Sequence, residues 1–145
     1  MDTTAIREAE IADAAVIAQL SGELGYPSSP AQTVTRLLSI LDSPDHKVFV
    51  ATNREGSVHG WIHVFVSQYL ESDPFAELGG LVVSTRWRAR GIGKKLMAAA
   101  EDWVVSKGIR TMKIRSRSSR VEAHAFYESL GYAVTKTQHV FEKAL

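Results

Sequence analysis

Two glycines stand where a strand-like run gives way to an amphipathic helical pattern, and basic residues surround them. Gly91 and Gly93 lie in the stretch "STRWRARGIGKKL", residues 84–96. A helix N-terminus has unpaired N–H groups and a partial positive charge, and glycine allows a phosphate to approach the backbone. Arg88, Arg90 and Lys94 add positive charge at the same point. The stretch therefore predicts a phosphate-binding site, and an ordinary charged helix start is the alternative.

Two common nucleotide-binding loops do not match this stretch. A Walker A loop has a glycine five residues before its Gly-Lys pair and a serine or threonine after it. Those positions are Arg88 and Lys95 in this chain. The dinucleotide motif GxGxxG requires a third glycine where this chain has Leu96. Neither ATP hydrolysis nor NAD chemistry is therefore supported.

Charge is distributed unevenly along the 145 residues. Residues 86–120 contain eleven basic and two acidic residues, whereas residues 1–85 contain four basic and eleven acidic residues. A basic segment favours a polyanion as ligand and an acidic half favours a cation. The basic residues alternate with apolar ones and few aromatics lie among them, so we predict no nucleic-acid partner.

The chain contains no cysteine, which excludes disulfides, thiolate zinc sites and a cysteine nucleophile. The five histidines do not suggest a ligand set, so we predict no metal. The first ten residues carry acids and no apolar run, and no window approaches the ~18 apolar residues of a membrane span. We therefore predict a cytoplasmic protein without membrane contact.

The order of predicted elements describes a single α/β domain over residues 1–145. A short strand, two helices, three strands, a helix, a strand, a helix and a final strand pair at 132–144 follow one another. The central strand–helix–strand unit is a crossover, which makes its two strands parallel. We predict a mixed, mostly antiparallel, twisted sheet of about seven strands flanked by about four helices.

Two separated motifs resemble the GNAT superfamily of N-acetyltransferases. One is R-x-x-G-x-G at residues 88–93, and the other is "AHAFYESLGY" at residues 123–132. The resemblance covers nearly the whole chain and is greatest to the small-molecule branch, which includes aminoalkylphosphonate and aminoglycoside N-acetyltransferases. The residues that carry the resemblance to this branch are Ser116, Arg120, Ala123, His124, Phe126 and Tyr127.

The resemblance implies acetyl-CoA as the acyl donor. Residues 88–94 would bind its pyrophosphate, and residues 81–83 would pair with its pantetheine arm like an added strand. A backbone N–H near Leu81 or Val82 would stabilise the oxyanion. Relatives often carry asparagine at the position of Arg120, so that contact is open. The implied cofactor-binding residues are Leu81, Val82, Val83, Arg88, Ala89, Arg90, Gly91, Ile92, Gly93, Lys94, Arg120 and Ala123.

The implied reaction is direct attack of a primary amine on the thioester in a ternary complex, since no cysteine can carry the acetyl group. An amine with a pKa near ~10.4 is protonated at neutral pH and needs a base. Glu77 lies where relatives place theirs, and Tyr127 matches the tyrosine that protonates the CoA thiolate. An exposed strand carboxylate and a half-buried helix tyrosine are the alternatives. Gly79 and Gly80 suggest a bulge or a close backbone approach.

The acceptor is predicted to be a small cationic amine, because the segments that form the substrate pocket in relatives are acidic here. The candidate substrate residues are Glu23, Tyr26 and Glu71. A protein N-terminus or lysine is the alternative acceptor. The non-enzyme alternatives are an acetyl-CoA-binding module and a basic nucleic-acid-binding patch. A homodimer that pairs through the final strands is left open.

Overall fold

The computed structural model describes residues 3–145, which divide into two compact units, one up to Ile114 and one of Arg115–Leu145. The first unit contains one sheet of five strands. These are β1 (Ala5–Glu8), β2 (His46–Thr52), β3 (Val58–Ser67), β4 (Phe75–Val83) and β5 (Met112–Lys113). Its helices are α1 (Ala14–Glu23), α2 (Pro30–Leu41) and α3 (Ile92–Ser106). The second unit contains α4 (Val121–Ser129).

The strands lie in sequence order, and only the last pair is parallel. The pairs β1–β2, β2–β3 and β3–β4 are antiparallel, while β4 and β5 are parallel with Ala76 opposite Met112. The prediction of a parallel pair joined by a helix is confirmed. The run Asn-Arg-Glu-Gly at residues 53–56 is typical of a turn, and the β2–β3 turn forms there. The Asn53 side-chain oxygen accepts from the N–H groups of Glu55 and Ser57 at 3.1 and 2.9 Å.

The helices begin and end at residues with the expected local chemistry. Ser29 accepts from the N–H of Gln32 at 3.1 Å, and Gln32 accepts from the N–H of Ser29 at 2.9 Å. These two bonds form a capping box before α2, as the pattern Ser29-x-x-Gln32 indicates. Gly91, with φ +79°, is the N-cap of α3. Gly108, with φ +77°, lies just beyond its last turn.

The sheet of the first unit has a packed face on each side. On one side, Val48 and Val50 of β2 form a cluster with α1 and α2 side chains such as Ile17 and Leu37. We call this side the α1–α2 face. On the other side α3 packs against β3, and a Cβ added to Gly60 would meet Leu96 Cδ1 of α3 at 3.2 Å. The fully buried side chains Ile62, Val64, Leu96 and Met97 belong to this core.

The sequence analysis predicted too many strands. Residues 132–144 were expected to form a final strand pair, but they form no strand, so the described chain has five strands and not about seven. Alternating apolar residues favour an extended chain, yet a strand also needs a partner that buries one of its faces. Val134, Val140 and Phe141 are 74, 92 and 93% exposed, so no such partner covers them.

Two further details differ from or complete the sequence analysis. The pattern Ser119-x-x-Glu122 is typical of a capping box, but α4 has Arg120 as its N-cap and no side chain caps it. The four α-helices agree with the predicted number. Over residues 3–145, none of the helices is both long and apolar enough to cross a membrane.

Candidate active site

The strand β4 changes its pairing in the middle, next to two glycines. His63 of β3 lies opposite Gly80, but Val64 lies opposite Leu78, so Gly79 is an extra residue on β4. Such a bulge bends the strand and re-aims its backbone groups. The prediction that Gly79 and Gly80 mark a bulge is therefore confirmed.

Two aromatic rings of β3 occupy the space that side chains on these glycines would need. A Cβ on Gly79 would overlap Nδ1 of His63 and lie 3.0 Å from its Cγ. A Cβ on Gly80 would lie 2.7 Å from Cη2 of Trp61. The close backbone approach that the sequence suggested therefore has a defined partner, since glycine is needed here to admit the rings.

Glu77 lies two residues before the bulge, on the same strand. It is 9% exposed and pairs in register with Phe65 of β3. The hydroxyl of Ser67 donates to Oε2 of Glu77 at 2.7 Å. A hydrogen bond of this kind orients a carboxylate, so Glu77 is a fixed acceptor close to the bulge rather than a freely moving surface group.

A histidine pair lies on the α1–α2 face beside the bulge. Nδ1 of His46 and Nε2 of His63 are 2.9 Å apart, and the planes of the two rings are inclined to each other by 17°. Phe65 stacks against both rings, with centroids 5.3 and 5.5 Å away. Burial, followed by the neighbouring His46, lowers the pKa of His63 to about 4. His63 is therefore neutral at pH 7.

The far half of β4 has a free edge in the first unit. The ladder with β5 covers only Ala76 and Glu77, so residues 78–83 have no ladder partner on that side within 3–114. This half contains Leu81, Val82 and Val83, the residues proposed to pair with pantetheine. An unpaired edge offers N–H and C=O groups to an added extended ligand.

The loop between β4 and α3 is held in a conformation that exposes the start of α3. Arg88 Nε donates to the carbonyl of Val83 at 3.4 Å, and Ala89 has a left-handed φ of +62°. Such a φ is unusual for alanine and costs strain. A Cβ on Gly91 would meet nothing within 4 Å, so open space lies before this helix end.

An aromatic stack supports the same loop. His59 of β3 stacks on Trp87 with centroids 4.0 Å apart, and the Arg90 guanidinium lies 4.5 Å from the Trp87 ring centre. Burial, with a contribution from the charge of Arg90, lowers the pKa of His59. The contacts of Arg88 and Arg90 thus hold the loop in place, and the loop leads directly into the first turn of α3. The N–H groups at that helix start are those of Ile92, Gly93 and Lys94.

Tyr127 lies on α4, in the second unit. Its half-buried ring contacts Phe126 and Tyr132 edge-on, with centroids 5.4 and 6.4 Å away. Burial raises the pKa of Tyr127, and the charge of Arg120 opposes this in part. The hydroxyl therefore stays protonated at neutral pH and can donate.

The other residues singled out on the second unit lie at or near the start of α4. Arg120 is its N-cap, and Ala123 lies in its first turn. His124 Nε2 donates to the carbonyl of Arg117 at 2.8 Å, which supports a packing role for this histidine.

The three candidate substrate residues lie at exposed positions of the first unit. Glu23 is the last residue of α1, and Tyr26, which is 54% exposed, follows that helix. Glu71 lies in the loop between β3 and β4. Exposed carboxylates of this kind attract cations without fixing them.

No group of three or more His, Asp or Glu residues within 3–145 is arranged to hold a metal ion. His59 and His63 are four residues apart, which is a common ligand spacing on a helix. Both lie on β3, where four residues span ~13 Å, so they cannot share one ion.

The sequence analysis missed His46 and the role of its partner His63. The available signal was the alternation of Trp61, His63 and Phe65 on one strand, together with a double glycine on the next. Large rings opposite glycines indicate ring-over-backbone packing. The pairing register of β3 and β4 determines which ring lies over which glycine. This register could not be predicted from the sequence.

The free edge of β4, the glycine bulge and the exposed helix start lie on a fold whose family the comparisons with known proteins identify. The profile described as "Acetyltransferase (GNAT) family" matches residues 14–132. This chain belongs to the GNAT acetyltransferase family, as the sequence motifs predicted.

Individual relatives refine this assignment. An aminoglycoside N(6')-acetyltransferase type 1 from Stenotrophomonas maltophilia is 32% identical over 144 residues, which cover 97% of this chain and 93% of that protein. A protein of the same name from Salmonella typhimurium is 29% identical over 73 residues, half of each chain.

Solved structures share the fold at lower identity. AAC(6')-Iy in complex with the bisubstrate analog CoA-S-monomethyl-acetylneamine has a TM-score of 0.88 at 22% identity, over 99% of this chain and 100% of that one. Glucosamine-6-phosphate N-acetyltransferase from Arabidopsis thaliana has a TM-score of 0.83 at 22% identity, over 97 and 99% of the two chains. At these identities the likeness concerns the fold.

Proposed function

We propose that this protein transfers the acetyl group of acetyl-CoA to a primary amine of a small polycationic molecule of the aminoglycoside class. The observation that carries the proposal is the free edge of β4, which leads from the Glu77 carboxylate past the glycine bulge to the open N-terminus of α3. Similarity over 97% of the chain to an aminoglycoside N(6')-acetyltransferase supports the acceptor class.

The donor half of the site would hold acetyl-CoA through backbone groups. Its pyrophosphate would bind the N–H groups at the start of α3, with charge from Arg88, Arg90 and Lys94. Its pantetheine would pair with residues 81–83, and the N–H of Leu81 or Val82 would receive the developing oxyanion. Arg120 and Ala123 of α4 are proposed to complete this half.

The acceptor half would supply the proton chemistry. Glu77, oriented by the Ser67 hydroxyl, accepts a proton from the ammonium directly or through water. The neutral amine forms the N–C bond as the C–S bond breaks. Tyr127 donates its proton to the departing thiolate and regains one from water. We expect Glu23, Tyr26 and Glu71 to select cations, because the loops that carry them are acidic.

The test is acetyl-CoA turnover against a panel of amines, measured as free CoA. The panel contains neamine, a polyamine, a lysine-containing peptide, and an aminoglycoside whose 6'-amine is replaced by a hydroxyl. We expect turnover with neamine, weak turnover with the polyamine and none with the hydroxyl analogue. Turnover of the peptide alone would favour a protein acceptor. Absence of turnover with every amine of the panel would overturn the proposal.

The donor site is tested separately by calorimetry with acetyl-CoA. Gly93→Val places a branched side chain in the first turn of α3, where the pyrophosphate would approach. We expect loss of binding with an unchanged thermal midpoint. If this variant bound acetyl-CoA with the affinity of the wild type, the proposal that the pyrophosphate binds at the start of α3 would be wrong.

We further propose that residues 1–145 form one acetyltransferase domain, since the matched residues 14–132 run through both units. The exposed apolar side chains of residues 132–145 support a homodimer in which this segment pairs with a second copy. Light scattering at several protein concentrations distinguishes the dimer from a monomer.

A further inference from the structure

The two nitrogens of the His63 ring face different surroundings. Nδ1 lies over the backbone of Gly79, in the place of its missing side chain, and Gly79 itself is exposed. Nε2 lies 2.9 Å from Nδ1 of His46, in a ring that is only partly buried. One ring edge thus meets the exposed bulge of β4, and the other joins a second imidazole that reaches towards the surface.

The proposed reaction releases a proton that must leave the site. A protonated amine and acetyl-CoA give an amide, a thiol and one proton. The amine nitrogen loses two protons in total: one before it attacks and one after its bond to carbon has formed. The thiolate takes up only one proton. Glu77 accepts a hydrogen bond from Ser67 with one oxygen and is proposed to take the first proton. No acceptor has yet been assigned to the second proton.

We propose that His63 and His46 form a proton relay that takes the second proton from the acylated nitrogen beside the Gly79 bulge and passes it to solvent. This inference rests on the proposed acetyl transfer. The N–H bond of the acylated nitrogen breaks and an N–H bond forms at Nδ1 of His63. The proton on Nε2 of His63 moves to Nδ1 of His46, and the proton on Nε2 of His46 moves to water. Exchange with water restores the starting tautomers after the products leave.

The low proton affinity of His63 fits the later step and excludes the earlier one. The pKa of His63 is about 4, whereas that of a free ammonium is ~10.4. The equilibrium constant for proton transfer from the ammonium to His63 is therefore only about one in a million. A nitrogen that has just bonded to the thioester carbon is far more acidic, so a weak base suffices. A ring that binds protons weakly also releases them readily, which a relay requires.

The groups that surround His63 come from β2, β3 and β4. His46 lies next to His63 on the neighbouring strand β2. Glu77 of β4 is the register partner of Phe65, so its side chain also lies on the α1–α2 face. Phe65 covers the rings on one side. Burial and His46 are what shift the pKa of His63.

The test combines His63→Ala with added imidazole. We expect His63→Ala to lower kcat about 100-fold, the usual size of a general-base contribution, with little change in acetyl-CoA affinity by calorimetry. Imidazole should restore activity in a saturable way, since the removed ring leaves a space of its own size. Pyrazole has the same shape and much weaker basicity, so it should rescue poorly.

Three further variants keep the result interpretable. His63→Asn retains a polar atom near Nδ1 but cannot relay a proton, and should be slow and not rescued. His46→Gln keeps a hydrogen-bonding group yet interrupts the relay, and should lower kcat about tenfold. His139→Gln changes an exposed histidine of the second unit and should behave as wild type.

The outcomes separate the relay from the proposed function. A wild type without turnover on any amine overturns both. If the wild type is active and the kcat of His63→Ala is within twofold of the wild-type kcat, the relay alone is overturned. Equal rescue by imidazole and pyrazole also overturns the relay, because the ring would then only fill space above the bulge.

Discussion

Burial keeps the hydroxyl of Tyr127 protonated, as the role proposed for this residue requires. Its ring is half-buried against Phe126 and Tyr132, and burial keeps its pKa above the usual value. A phenol that stays protonated can donate to a thiolate, which is the use implied by the motif. The sequence placed this tyrosine through its neighbours in "AHAFYESLGY". The effect of Arg120, which lowers the pKa, required the structure.

Tyr127→Phe removes the hydroxyl and keeps the ring packing. We expect kcat to fall about 100-fold while the affinity for acetyl-CoA stays within twofold, because the lost interaction forms only as the thiolate leaves. Steady-state kinetics with calorimetry checks this. An unchanged pre-steady-state rate would remove Tyr127 from the chemical step.

At the scale of elements, β4 was foreseen in outline and not in detail. The run "FAELGGLVVS" predicted a strand, and its glycine pair predicted a bulge. Both are present at Phe75–Val83. The rings of Trp61 and His63 above those glycines were not foreseen, because a one-residue change in register would turn them to the other side of the sheet.

Adding a methyl group at the bulge tests this packing. Gly79→Ala places Cβ against the His63 ring, so the ring or the strand must shift, and we expect a loss of about 1–3 kcal/mol in unfolding free energy. Gly22→Ala is the matched control: it lies in α1 with nothing within 4 Å of the added carbon, and should gain about 0.5–1 kcal/mol. Urea denaturation measures both, and equal stabilities for the two variants would contradict the packing.

At the scale of the whole chain, local patterns located nearly every element of residues 3–131. The Ser29 capping box, the Asn53 turn and Gly108 each mark a boundary through contacts with close neighbours in sequence. The final strand pair failed because alternation in residues 132–144 records a preference for extended backbone and says nothing about a partner. The histidine pair was missed for a related reason, since 17 residues separate its members.

Burial of the His63 ring makes the stability of the folded protein depend on pH. The pKa of His63 is about 4 in the folded chain and 6.5 without burial, so between these values the unfolded chain binds a proton that the folded chain does not. The contribution is fully present above pH 6.5 and is lost as pH falls towards 4, about 3 kcal/mol in all. His63→Asn should lose less stability over this range. Urea denaturation from pH 7 to 4.5 compares the two, and parallel curves would contradict the assignment.

A side chain at position 79 and the ring at position 63 compete for the same space. The ring of His63 stands where a side chain on residue 79 would begin. A descendant that acquired a side chain at 79 would favour a smaller residue at 63, and would then lose the ring that links His46 to the bulge. We therefore expect residues 63 and 79 to covary among relatives. Relatives with histidine at 63 should have glycine at 79, and relatives with a side chain at 79 of β4 should have a smaller residue at 63.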